Sequence, residues 1–211
     1  MYFLLKELFF PDVSEADKHG ILAVGGDLSP ERLMLAYRSG IFPWFDRDEP
    51  ILWWSPKERM VLFPDELKVS KSMRSILRKG LFTVTFNKDF RGVISNCSTV
   101  SRNGQQGTWI SEEMIEAYVK LHELGYAKSV EVWQNNELVG GLYGIDLGDV
   151  FCGESMFSKV SNASKVAFIT LVENLKIRQY KLVDCQVYNE HLESLGAREI
   201  EREEFMEILN V

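Results

Sequence analysis

The sequence predicts an α+β protein, with a small N-terminal domain over residues 1–60 and a larger mixed-sheet domain over residues 61–211. Three observations predict it. Residues 129–157 read as a three-strand antiparallel meander with tight turns at Asn135-Asn136 and Gly148-Asp149. An apolar helix from Asn162 to about Arg178 follows, and then a strand from Lys181 to Val187 that can return beside the meander and splay from it. Before Val61 the pattern is instead short and rich in turns. At 211 residues, 45% apolar and 26% charged, the chain has the make-up of a soluble globular protein.

The opening MYFLLKELFF is apolar but broken by Lys6 and Glu7, and it has no small-residue cleavage site, so no targeting signal is read there. No run approaches the ~18 apolar residues of a membrane span. Gly25-Gly26-Asp27 is a turn, and Ser29-Pro30-Glu31 places a cap before a first-turn proline, opening a helix through Arg38 that stops at Gly40. Ile41 to Phe45 and Ile51 to Pro56 hold Trp44, Trp53 and Trp54. Prolines 43, 50 and 56 make both runs poor central strands. They read as extended segments that staple this unit to the larger domain or present rings to a ligand, and core burial is the default for each ring.

Lys68, Lys71, Arg74 and Arg78 recur at spacings of 3, 3 and 4, with Val69, Met73, Ile76 and Leu77 on the opposite helical face. Phe82 to Phe86 alternates as a strand, and Phe90 to Cys97 reads as a short helix. A polar loop from Ser98 to Gly107, expected to be mobile, leads to Trp109. Ser111 then caps a helix with Glu112 and Glu113 in its first turn and Gly125 as its stop, carrying Tyr118 as a core residue by default. Gly140, Gly141 and Gly144 in the middle strand of the meander suggest a bulge or a close approach of substrate to backbone. A final helix starts near Arg202.

Cys97, Cys152 and Cys185 form no CxxC pair, and His19, His122 and His191 are scattered, which argues against a disulfide framework, a zinc site or any other metal centre. A cytoplasmic location is the default. Net charge is −7, yet residues 57–102 carry 10 basic and 4 acidic side chains. The cationic helix face there fits an ordinary solvated surface or a track along nucleic-acid phosphates.

Two acidic positions lie on buried-looking strands, Glu154 within Phe151 to Phe157 and Asp184 within Asp184 to Asn189. Alternation places Asp184 and Gln186 on one face, with Val183, Cys185 and Val187 on the other. Carboxylates are rarely buried without a partner, so Glu154 and Asp184 are expected to line a shared cleft that receives a cationic or proton-bearing group. There is no GxSxG elbow, HExxH pair or Walker loop. Nothing beyond the carboxylate pair points to sugars, and no histidine is placed by sequence to activate Cys152. The strand and helix order is that of coenzyme-A acyltransferases of the GNAT type. Their glycine-rich pyrophosphate loop should then fall near residues 157–164, where Phe157 to Ser164 has no glycine. An acyltransferase scaffold without that loop implies a different acyl carrier.

Several strings together resemble the bacterial leucyl/phenylalanyl-tRNA-protein transferases. They are Val24-Gly25-Gly26-Asp27-Leu28-Ser29-Pro30, Gly40-Ile41-Phe42-Pro43-Trp44-Phe45, Leu52-Trp53-Trp54-Ser55-Pro56, Gly107-Thr108-Trp109-Ile110, Phe151 to Ser158 and Asp184-Cys185-Gln186-Val187. The resemblance runs in order from about residue 20 to 190. It implies a small N-terminal domain on a GNAT-like domain. It also implies transfer of leucine or phenylalanine, with methionine as a further donor, from charged tRNA to proteins that begin with arginine or lysine, marking them for degradation. No cofactor, no metal and no membrane are implied, and a monomer is expected. The chain stops soon after its last predicted helix, which reads as lacking the C-terminal tail of some members.

An aminoacyl ester is already activated, so aminolysis needs a free amine, a held carbonyl and stabilisation of the oxyanion. The resemblance supports Asp184 with Gln186 in orienting the amine, and Glu154 in holding the aminoacyl moiety or the cationic acceptor. By the same resemblance Leu142, Met156, Phe168, Leu171, Leu175 and Val183 form the aminoacyl pocket. The terminal adenine is expected on Trp44 and Trp109, with Tyr37 and Tyr118 nearby. Lys68, Lys71, Arg74 and Arg78 would follow the tRNA backbone. A GNAT-like N-acyltransferase using another carrier, and a non-catalytic binder of charged tRNA ends, are the rival readings.

Overall fold

The computed structural model describes residues 2–47, 49–99 and 110–209, arranged around two sheets. The first comprises β1 (Tyr2–Leu4), β2 (Ile21–Gly25), β3 (Phe42–Pro43) and β4 (Leu52–Trp54), in the order β1-β2-β4-β3. Helix α1 (Pro30–Arg38) crosses between β2 and β3 in sequence. Its start follows the expected chemistry: the Ser29 side chain accepts from the Arg32 amide and Pro30 occupies the first turn. Gly40, at φ +71°, closes it.

One expectation fails here, because β4 is an inner strand. Pro50 and Pro56 stand outside its three residues, and Pro43 lies on the edge strand β3, so no ladder bond is lost to proline. Trp53 is fully buried, with its Nε1 donating to the Gly25 carbonyl at 2.8 Å.

The second sheet has seven strands. In chain order the elements are β5 (Glu58–Leu62), α2 (Lys71–Arg78), β6 (Thr83–Phe86), α3 (Phe90–Thr99), α4 (Glu112–Glu123), β7 (Ala127–Gln134), β8 (Glu137–Asp146), β9 (Val150–Ser158), α5 (Ala163–Ile177), β10 (Leu182–Gln186), α6 (Glu190–Glu193), β11 (Arg198–Glu201) and α7 (Arg202–Leu209). The spatial order is β11-β5-β10-β9-β8-β7-β6. Every pairing is antiparallel except β9 with β10, and α5 supplies the crossover that a parallel pair needs. The α+β class, with a small N-terminal sheet beside a mixed sheet, is as expected. Strands β5 and β11 are additions: Arg59 to Leu62 are all buried and so do not alternate, while β11 buries Ile200 alone.

The meander glycines serve packing of the chain on itself. A Cβ on Gly140 would sit 2.5 Å from the Ala163 Cβ, so glycine there admits the start of α5. At Gly144 a Cβ would meet the Phe151 ring at 2.6 Å. The expected Asn162 cap is replaced, since Asn162 is left-handed (φ +70°) and makes no side-chain cap bond. The Ser158 hydroxyl accepts from the Ser164 amide instead, at 3.2 Å.

One apolar cluster joins the small sheet to one face of the large one, packing Leu33, Tyr37 and Trp53 with Tyr143, Ile145 and Phe205. The other lies between the opposite face and α2 and α5. Among the described residues no helix is long and apolar enough to cross a membrane.

Candidate active site

Strands β9 and β10 stay in register only as far as Cys152 and Asp184, although both continue. Each then carries a bulge. Tyr143 and Gly144 of β8 face Ser155 and Gly153, which leaves Glu154 as the extra residue of β9. On the other side β10 shifts against β5 between Asp184 and Gln186. Gln186 has φ +67°, a region costly for a residue with a long side chain. Beyond the last paired residues the two strands are bridged by side chains, Gln186 Nε2 donating to Glu154 Oε1 at 2.9 Å.

The bulge overturns the simple alternation. Gln186 joins Val183, Cys185 and Val187 in lining the cleft, whereas Asp184 is not part of its wall. Asp184 is 0% exposed and receives Arg59 Nε at 2.8 Å and Nη2 at 2.7 Å. Its Oδ1 also accepts the Gln186 amide at 2.9 Å. The expected pair of cleft carboxylates is therefore one cleft carboxylate, Glu154, with a buried ion pair behind it.

Glu154 is part-buried, and its Oε2 accepts from the Tyr118 hydroxyl at 3.2 Å. Tyr118 in turn shares a hydroxyl hydrogen bond with Tyr37. Desolvation is the main cause that raises the Glu154 carboxyl to about 7; hydrogen bonds from Tyr37, Tyr118 and Gln186 oppose the rise, and the Asp184 charge adds to it. Both tyrosines are pushed well above the ordinary phenol range, first by burial and then by the Glu154 charge, so they act as donors. At 1% and 0% exposure their rings are core and offer no face to an adenine, contrary to expectation. Cys152 is also buried, and desolvation pushes its thiol well up, as does Asp184, so it is no ready nucleophile.

The cleft holds about 430 Å³, within the roughly 300–1,000 Å³ of small-ligand sites. Leu142, Met156, Phe168, Leu171 and Val183 line it. Leu175 does not: it lies one helical turn beyond Leu171 and lines a separate cavity of about 190 Å³ with Phe86, Asn174 and Arg178. Sequence reasoning missed Phe151, His191 and Leu192 in the wall. Phe151 stood in the motif already singled out, but α6, which carries the other two, is four residues long and has no periodic signal.

Trp44 is half-buried, tilted against Trp54 with ring centroids 5.4 Å apart. Trp109 lies outside the described residues. Lys71, Arg74 and Arg78 are exposed on α2 and share an open basin with Leu77 and Glu173. Lys68 is exposed too, but it precedes the Ser70 cap and is not helical. Among the described residues no group of three or more His, Cys, Asp or Glu is placed to hold a metal ion.

Comparison with known proteins places these features in context. Residues 61–210 match the family described as leucyl/phenylalanyl-tRNA protein transferase, and residues 26–57 match the N-terminal domain described for the same transferase. A Flavobacterium johnsoniae protein named leucyl/phenylalanyl-tRNA–protein transferase is 72% identical, covering 99% of each chain. One of the same name from Flavobacterium psychrophilum is 64% identical, again over 99% of each, and one from Syntrophus aciditrophicus is 60% identical over 97% of this chain and 85% of its own. Among solved structures, FemX superposes with a TM-score of 0.53 at 12% identity, covering 82% of this chain and 66% of FemX, a likeness of fold.

Proposed function

The chain belongs to the leucyl/phenylalanyl-tRNA–protein transferase family and is an aminoacyltransferase, and from that premise we propose that it moves leucine or phenylalanine, with methionine as a further donor, from charged tRNA to the amino terminus of proteins that begin with arginine or lysine. The product carries a new N-terminal residue that marks it for degradation. The chain ahead of β5 forms a small domain that presents Trp44 and the chain from β5 onward forms the catalytic domain, so the boundary expected at residue 60 moves ahead of Glu58; the protein acts as a monomer in the cytoplasm.

The observation that carries this reading is the Glu154–Gln186 bridge in the wall of an apolar cleft. The cleft accepts the donor side chain between Leu142, Met156, Phe168, Leu171 and Val183. A cleft with these walls discriminates by shape, at about 1–3 kcal/mol for each methylene-sized difference. Gln186 Nε2 is engaged by Glu154, which leaves the amide oxygen of Gln186 to accept from an incoming amine. A free α-amino group titrates at about 7.7–8.0. Glu154, raised to about 7, is matched closely enough to take a proton from it with little driving force lost. The neutral amine attacks the ester carbonyl, the new C–N bond forms and the C–O bond to the ribose breaks. The amine's remaining surplus proton passes to the departing ribose oxygen. Because the ester is already activated, the step consumes no ATP. Asp184 acts through Gln186, holding its backbone. The terminal adenine stacks on Trp44 and Trp109, while Lys68, Lys71, Arg74 and Arg78 face the tRNA phosphates.

The test is transfer of labelled leucine from charged tRNA to a peptide beginning with arginine, beside one beginning with valine. Labelling of the first alone is expected. Equal labelling of both, or of neither, overturns the reading.

A further inference from the structure

We infer that Arg59 is the positioning residue of the transfer reaction, fixing Gln186 in its strained cleft-facing conformation through Asp184. The inference rests on the proposed transfer for its kinetic readout. Arg59 lies on β5, 2% exposed, and neither it nor Asp184 lines the cleft. Its guanidinium is committed on every side. Nε and Nη2 grip both Asp184 oxygens at 2.8 and 2.7 Å, and Nη1 donates to the Gly40 carbonyl at 3.2 Å. The rings of Phe42 and Phe205 enclose it, their centroids 4.7 and 4.6 Å from Cζ. This fork is rigid where a lysine would offer a single point charge.

What the fork holds is not itself stable. Gln186 sits at φ +67° in a turn that the Val187 amide closes onto the Cys185 carbonyl at 2.9 Å, and the bond that ties this turn to the buried ion pair runs from the Gln186 amide to Asp184 Oδ1 at 2.9 Å. An unpaired carboxylate at 0% exposure would take up a proton or move, and in either case that bond weakens. Gln186 then leaves the geometry in which its Nε2 meets Glu154. Phe42 and Gly40 come from the small N-terminal unit and Phe205 from α7, so three separate parts of the chain set the position of one reacting side chain.

The experiment compares R59M, D184N and the R59M/D184N double variant, with R59K as a milder change should R59M not fold. Each folded variant is assayed for kcat and for the KM of charged tRNA. Exchange of the Gln186 amide hydrogen is also followed, which does not depend on transfer. R59M is expected to lose about 100-fold in kcat, the scale of a misplacement near 1 Å, with KM moved less than about threefold. R59K is expected to fall in the same direction by a smaller factor. The double variant should lose no more than the worse single one, because the two residues act as a unit. The Gln186 amide should exchange faster in R59M. Normal kcat in folded R59M or R59K, losses that multiply in the double variant, or an unchanged Gln186 amide each overturns the inference. Failure of the unmodified enzyme to transfer leucine counts against the transfer reading alone, and the amide exchange then decides the role of Arg59.

Discussion

Replacing Glu154 by glutamine is expected to make the protein more stable in alkali while removing its activity. The Glu154 carboxyl is raised from its ordinary 4.5 to about 7, with desolvation the main cause, so the folded state holds the proton more tightly than the unfolded chain does. The stabilisation tied to that proton is complete below 4.5 and is lost as pH rises through about 7. At about 1.4 kcal/mol for each pH unit across that interval, the folded wild type gives up about 3 kcal/mol by pH 8. Glutamine carries no charge at any of these pH values and can still accept from Gln186 or Tyr118. E154Q should therefore match the wild type at pH 4 and exceed it at pH 8 by about 3 kcal/mol, or roughly 6–12 °C in Tm for a chain of this length. Urea unfolding at half-unit steps of pH measures this directly. A stability difference that does not change between pH 4 and 8 would refute the desolvation argument, and with it the case for Glu154 as proton acceptor. The expected gain at pH 8 would instead set this site beside others in which an uncomfortable charge is retained for function.

Other outcomes follow from the same geometry. D184N strands a buried guanidinium and should cost about 3–5 kcal/mol in urea unfolding; a loss under about 1 kcal/mol would show that the pair is not effectively buried. F168A widens the cleft and should lower kcat/KM about 10-fold or more for leucyl donors. L175A should instead cost about 2–5 kcal/mol of stability and leave the donor preference intact, so a changed preference would return Leu175 to the cleft. Neutralising Lys71, Arg74 and Arg78 together should weaken binding of full-length charged tRNA far more than of an aminoacyl-adenosine analogue, and flatten its salt dependence. Equal losses on both would exclude a contact with the tRNA stem.

Much of the scaffold was legible because its signals are local. The Ser29-Pro30 start of α1, the Ser111 cap of α4 and the two meander turns each act over a few residues, and the structure places them as read. The apolar wall was named by the family resemblance and not by periodicity, and five of its six residues line the cleft. Leu175 marks the limit of that transfer, for one turn beyond Leu171 it lines a different cavity, whose wall Leu171 and Phe151 share.

The sequence by itself determined the chemical endowment of the cleft, a carboxylate at 154, an amide at 186 and apolar walls, and, away from the cleft, a cationic stripe on one short helix. It also determined the order of elements that brings β9 and β10 side by side. Only the tertiary structure decided which of the two carboxylates faces the cleft. Alternation put Asp184 and Gln186 together, but a bulge against β5 turns Gln186 to the face of Val183 and Cys185. Asp184 is left to Arg59, 125 residues away in the chain. A register shift arises from the pairing of distant strands, and a buried charge must find its counter-ion wherever the fold supplies one.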